Sequence, residues 1–145
     1  MITMCKKREN SAVVDTSAIM YFLEKKIDLL DAILSSDFEI SKIYIPDLVL
    51  GELKLIASKG MSRRARLARI ALNYLEKILV KREENVKVIQ IKCPEMESVD
   101  DAILSWAQDN NAVIVTADIK LKNRALKSGL KVLVPLSSKS KLREF

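Results

Sequence analysis

The chain contains no histidine. Imidazole is therefore absent as a general base, as the activator of a nucleophilic serine or cysteine, and as a zinc ligand. Cysteine is scarce too. Cys5 and Cys93 are too few for a disulfide framework and too far apart for a zinc site. Hydrolytic chemistry in this chain must rest on carboxylates, on lysine or on a metal ion. Glycine and proline number three each, against 49% apolar and 30% charged residues, which is the composition of an ordered globular chain. No apolar run approaches the length of a membrane span. Nothing after Lys6-Lys7-Arg8 is apolar for long enough to act as a signal peptide. A cytoplasmic protein without membrane attachment is expected. Neither G-x-x-x-x-G-K-[ST] nor G-x-G-x-x-G occurs, so nucleotide binding of those kinds is unsupported. Aromatic residues, at 5%, are too few for base stacking to dominate nucleic-acid binding.

What is present fits one domain. The 145 residues suffice for a single sizeable core. Basic residues outnumber acidic ones by 25 to 19, for a net charge of +6. The excess is clustered. Six basic residues and no acid lie between Lys54 and Arg69, and eight basic residues and no acid between Lys120 and Arg143. Such runs suit a phosphate-rich partner, although lysine-rich surfaces also arise from solvation alone.

Short apolar runs alternate with amphipathic ones. Strands are predicted near 12–15, 43–45, 86–91, 112–116 and 131–134. Ala12-Val13-Val14 and Val113-Ile114-Val115 are continuous rather than alternating, as in parallel strands buried on both faces. Val86 to Ile91 alternates, which places that strand nearer the sheet edge. Helices fill almost every connection. One begins after Ser17 as cap; another covers Ile27 to Leu34; a third runs from Asp47 to Ala57, towards Gly60 as a stop. The longest spans Arg63 to Lys81, with Leu67, Ile70, Ala71, Tyr74, Leu75, Ile78 and Leu79 as its apolar stripe. The last two cover Asp101 to Asn110 and Ile119 to Ser128. The expected fold class is α/β: a three-layer α/β/α sandwich around a mostly parallel five-stranded sheet.

In such sheets chemistry gathers beyond the carboxyl ends of the strands. Asp15 ends the first strand, and Asp118 follows the fourth by two residues. Glu52 lies early in the helix after the second strand, and Asp100 and Asp101 open the helix leading into the fourth. Each has a plain alternative: a surface glutamate for Glu52, helix caps for the aspartates. Brought together, the acids would repel one another unless neutralised. Carboxylate oxygens select Mg²⁺ or Mn²⁺ over zinc. Of the adjacent pair, Asp101 is the expected ligand and Asp100 a cap or a supporting group. Thr16, Ser17 and Thr116 adjoin these acids and are candidates to orient them. Arg63, Arg64, Arg66, Lys120, Lys122 and Arg124 are candidates to hold a nucleic-acid backbone.

Val13-Val14-Asp15-Thr16-Ser17-Ala18, Val49-Leu50-Gly51-Glu52-Leu53, Asp101-Ala102-Ile103-Leu104 and Val115-Thr116-Ala117-Asp118 resemble, in order and spacing, the four acidic motifs of the PIN domain family. The resemblance covers residues 12 to 135. It implies a metal-dependent ribonuclease in which Asp15, Glu52, Asp101 and Asp118 hold Mg²⁺ or Mn²⁺ and act on RNA. It implies a domain layout of an N-terminal extension over 1–10, a PIN-like nuclease domain over 11–136 and a basic tail over 137–145. The Asp100-Asp101 pair and the basic stretch after Asp118 look more like the rRNA-processing branch than like the toxin branch. The family's toxins pair with an antitoxin and form homodimers, whereas processing members have ribosome-assembly partners. A binding or scaffold protein on the same fold is the competing function class.

Overall fold

The computed structural model describes residues 10–81, 85–135 and 142–145. The expected N-terminal extension lies, apart from Asn10, outside the described residues. So do Glu83 and Glu84 of the expected turn, and most of the expected tail.

Six strands form one sheet in the order β3-β2-β1-β4-β5-β6. They are β1 (Asn10–Val14), β2 (Ile40–Pro46), β3 (Val86–Ile89), β4 (Val113–Val115), β5 (Val132–Pro135) and β6 (Leu142–Glu144). The first five run parallel. The sixth, antiparallel to β5, corrects the expected count of five. It lies in the stretch read from sequence as polar tail. Leu142 is buried opposite Pro135, and the backbones of Phe145 and Val132 exchange hydrogen bonds of 2.8 and 3.1 Å. One buried leucine among polar neighbours is too short a signal to read as a strand.

The helices are α1 (Thr16–Glu24), α2 (Leu29–Leu34), α3 (Asp47–Ala57), α4 (Arg63–Val80), α5 (Val99–Asn110) and α6 (Ile119–Lys127). The chain steps from β1 outward to β2 and β3, then returns across the sheet to β4 and β5. Right-handed crossovers put outbound and returning helices on opposite faces. The contacts agree: α1 packs on α3 and α4, whereas α5 rests on β4 and α6 on β5. This gives the expected three layers.

The two central strands are buried throughout their apolar runs, Ala12 to Val14 and Val113 to Val115, because helices cover both faces. At the edge, β3 buries Val86 but exposes Lys87 and Val88. In α4 the core face is Ala65, Ala68, Ala71, Leu75 and Ile78, while Ile70 is 52% exposed. The expected stripe shares Ala71, Leu75 and Ile78 with this face, but Ala65 and Ala68 replace the larger Leu67, Ile70, Tyr74 and Leu79. Small residues instead let α4 approach its neighbours closely. Helix α3 ends at Ser58 rather than Gly60. Gly129 does follow the end of α6, at φ +79°, the left-handed conformation that glycine adopts without strain.

Because the order reverses direction between β1 and β4, their carboxyl ends border the switch point of the sheet, where a crevice opens between diverging connections. Ile114, fully buried at the centre of β4, holds that point together. Ile114→Ala is expected to cost about 2–5 kcal/mol of stability, read as a lowered urea midpoint with an unchanged slope.

Candidate active site

Asp15 follows β1 and is 5% exposed. Its backbone N–H donates to Val115 O at 2.9 Å, so β1 and β4 stay paired up to the edge of the crevice. Its Oδ2 accepts two hydroxyl hydrogen bonds, from Ser17 at 2.6 Å and from the buried Thr116 at 2.9 Å. Each hydroxyl oxygen is itself fixed by a backbone amide. Ala117 N–H donates to Ser17 Oγ, and Asp118 N–H to Thr116 Oγ1, both at 3.0 Å. Ser17 and Thr116 are also 3.1 Å apart. The start of α1 and the turn after β4 are thus stapled through one carboxylate. Ser17 therefore lies inside the first turn of α1, and the cap position expected of it belongs to Asp15, whose side chain makes no capping bond.

Asp118 caps α6. Its Oδ1 accepts from the amides of Lys120 at 2.8 Å and Leu121 at 3.4 Å. Those amides are otherwise unsatisfied at a helix start, and the helix dipole favours a negative charge there.

Glu52, on α3, and Asp100, on α5, are half-buried and face the same crevice. The pKa of Glu52 is raised, first by burial, then by the charges of Asp15 and Asp100; Thr16 and Arg64 oppose the rise. That of Asp100 is raised by burial, then by Asp15 and Asp118, with Arg124 opposing. These mutual effects place Asp15, Glu52, Asp100 and Asp118 in one electrostatic neighbourhood. The Thr16 hydroxyl is buried beside it. It makes no ordinary hydrogen bond, yet stands near enough to Glu52 to favour its charged form.

Asp101 is differently occupied. Ser98 caps α5, and the pair forms a capping box: Asp101 N–H donates to Ser98 Oγ at 3.2 Å, and Ser98 N–H to Asp101 Oδ2 at 3.0 Å. Oδ1 of Asp101 pairs with the Arg124 guanidinium. These bonds, that from Arg124 foremost, lower its pKa to about 2. The capping role expected of Asp100 thus falls to Ser98, with Asp101 as its partner in the capping box. The Ser98-x-x-Asp101 spacing carries the signal for this in the sequence; nothing local foreshadows the pairing with Arg124.

The basic candidates divide. Arg63 and Arg64 open α4 in the open, Arg63 paired with Glu24 at 3.1 Å and Arg64 acting on Glu52. Arg66 and Lys120 are exposed. Lys122 stands 3.8 Å over the Phe145 ring. Arg124 is engaged by Asp101.

Among the described residues, no three acidic or cysteine side chains stand as a ready-made ion-holding group. The donor chemistry of the crevice nevertheless fits a hard cation. Its donors are carboxylate oxygens, hydroxyls adjoin them, and the pKa values of Glu52 and Asp100 are raised by burial first and by the neighbouring acids second.

A family model described as PIN like domain matches residues 12–137. The chain belongs to the PIN-like domain family. Similar solved structures include the PIN domain endonuclease Utp24, with 24% identity, a TM-score of 0.69 and coverage of 92% of this chain and 90% of that one. A domain of a functionally unknown protein from Methanocaldococcus jannaschii has 18% identity, a TM-score of 0.61, and coverage of 92% and 96%. VapBC2 from Rickettsia felis, bound to a promoter DNA fragment, has 21% identity, a TM-score of 0.52, and coverage of 78% and 92%. At these identities the likeness is one of fold. No curated protein matches the chain. This PIN-like domain carries Asp15 and Asp118 just past the ends of β1 and β4, and Glu52 and Asp100 on α3 and α5.

The neighbouring aspartates should titrate apart. Carbon-detected NMR of the metal-free protein is expected to show Asp101 titrating near pH 2, and Asp100 and Glu52 each above its ordinary value. For Asp101 the folded pKa is below the unfolded one. Its contribution to stability is therefore present above about pH 4 and lost as pH falls towards 2. For Asp100 and Glu52 the sign is opposite, and their cost appears as pH rises through the folded pKa. Arg124→Ala should raise the Asp101 value; an unchanged value would refute the pairing.

Proposed function

We propose that this protein is a metal-dependent endoribonuclease, with Mg²⁺ or Mn²⁺ held by Asp15, Asp100 and Asp118 and with Glu52 completing the acidic set. The observation that carries the reading is the gathering of these four acids about the β1/β4 switch point, where burial first and then the neighbouring carboxylates raise the pKa of Glu52 and Asp100. Membership in the PIN-like domain family supports it. When bound, such an ion supplies Lewis acidity at a phosphoryl oxygen and lowers the pKa of an attacking water.

The chain's own residues do the rest. Ser17 and Thr116 fix one oxygen of Asp15, so its carboxylate cannot rotate away from the crevice. Backbone amides of α6 fix Asp118 in the same way. Positioned carboxylates cost no reorganisation when a ligand arrives. Thr16 offers a buried hydroxyl to Glu52. Arg63 and Arg64 on one side and Lys120 on the other supply positive charge for the RNA backbone. Asp101, included in the ligand set by resemblance, serves instead to cap α5 and hold Arg124, which sets the phase of the helix that presents Asp100.

The test is cleavage of single-stranded and structured RNA with Mn²⁺ and with a chelator. Asp15→Asn, Asp100→Asn and Asp118→Asn should each lower activity by about 100-fold or more. Thr116→Val should lower it by about 10- to 100-fold, as the loss of a supporting hydrogen bond does. Asp101→Asn should retain the larger part. Cleavage that persists in chelator, or that survives loss of Asp15, would overturn the reading.

A further inference from the structure

Beside Asp15, on the α1 side, lies a cleft of about 400 Å³. Its inner end is made by Ser17 and Ala117, the two residues joined by the hydrogen bond that helps fix Asp15. Its wall is apolar and comes from two helices: Met20 and Tyr21 of α1, and Leu67 of α4. Its charged lining is Arg63, Arg64 and Glu24, the last paired with Arg63. The Tyr21 ring packs edge-on beside the buried Phe22, centroids 6.1 Å apart at 81°. Lys25 Nζ lies over the same ring, 5.9 Å from its centroid, and adds a cation beside it. Arg63 is 76% exposed in its pair with Glu24, and so exposed a pair is readily exchanged for a phosphate.

We infer that this cleft is a subsite for one unpaired nucleotide of single-stranded RNA, next to the phosphate that the acidic crevice acts on. Tyr21 stacks the base, Met20 and Leu67 line it, and Arg63 and Arg64 hold the adjoining phosphates. The inference rests on the ribonuclease reading for the choice of RNA and deepens it by naming the form of the substrate. Three features select this occupant. The cleft is continuous with the Ser17–Ala117 end of the crevice. Its volume lies near the small end of ligand sites, about 300–1,000 Å³, and suits one nucleotide rather than a helix. It joins an aromatic face to cations, the two elements of single-strand recognition. A base inside a duplex keeps its faces stacked on its neighbours and cannot reach Tyr21. The scarcity of aromatics is consistent with a single stacking position, with most affinity left to backbone charge.

Fluorescence anisotropy in chelator reads binding without cleavage. The probe is a short fluorescein-labelled RNA of mixed sequence, alone or annealed to its complement, with the DNA strand of the same sequence as a third arm. Wild-type protein should bind the single strand more tightly than the duplex. Tyr21→Ala should weaken single-strand binding about 5- to 50-fold with little change for the duplex, and Tyr21→Phe should restore it. Arg63→Ala with Arg64→Ala should weaken both and flatten their salt dependence. The subsite is overturned if Tyr21→Ala binds the single strand like wild type, or if it loses duplex binding equally. Equal loss on the DNA strand supports the stacking site while removing RNA as its particular ligand. Stacking without cleavage in Mn²⁺ would overturn the ribonuclease reading and leave the nucleotide subsite standing.

Discussion

The two hydroxyl hydrogen bonds on Asp15 Oδ2 tie together parts of the chain about a hundred residues apart. Ser17 comes from the start of α1, Thr116 from the end of β4, and both oxygens are anchored in turn by amides of the turn leading into α6. A carboxylate that accepts such bonds tolerates burial, because its polar atoms are satisfied. Without them Asp15 would be a charge in an apolar sheet edge, between β1 and β4. With them it is a fixed negative group around which the other acids are arranged.

That arrangement is costly. Glu52 and Asp100 arrive from different helices, both half-buried and both within reach of the Asp15 charge. Like charges brought together oppose folding. The fold accepts this because packing elsewhere is dense: both central strands are buried, and helices α1, α3 and α4 close one face. Arg64 and Arg124 offset the repulsion in part, and Arg124 does so while bound to Asp101. Strain kept at one point and supported by the rest is the pattern expected of a functional site.

The central strands are legible in the sequence because continuous valine and isoleucine runs leave no solvent face. The edge position of β3 is legible in its alternation. The strand β6 is not, since Leu142 is its sole buried residue and its partner β5 is supplied by the fold. The face of α4 is legible in Ala71, Leu75 and Ile78 but misread by size elsewhere, because close helix packing selects Ala65 and Ala68 over larger neighbours. The acids at strand ends can be located from sequence, but not their individual directions. Adjacent helical residues point about 100° apart, so the choice between Asp100 and Asp101 depends on where α5 begins. Ser98 decides that, through the capping box. Contacts such as Arg124 with Asp101 join separate elements and leave no local pattern.

The acidic crevice, offset only in part by Arg64 and Arg124 and presented by Asp100 rather than Asp101, is proposed to take a divalent cation. Thermal melts at neutral pH, with chelator and with Mn²⁺, test it most directly. Mn²⁺ is expected to raise the melting temperature of the wild-type protein, as a ligand of the folded state must. Asp100→Asn should melt above wild type in chelator and gain little from Mn²⁺. Asp101→Asn should melt below wild type, having lost its cap and its arginine, and keep the gain. A wild-type protein indifferent to Mn²⁺, with Asp100→Asn melting lower than wild type in chelator, would contradict it.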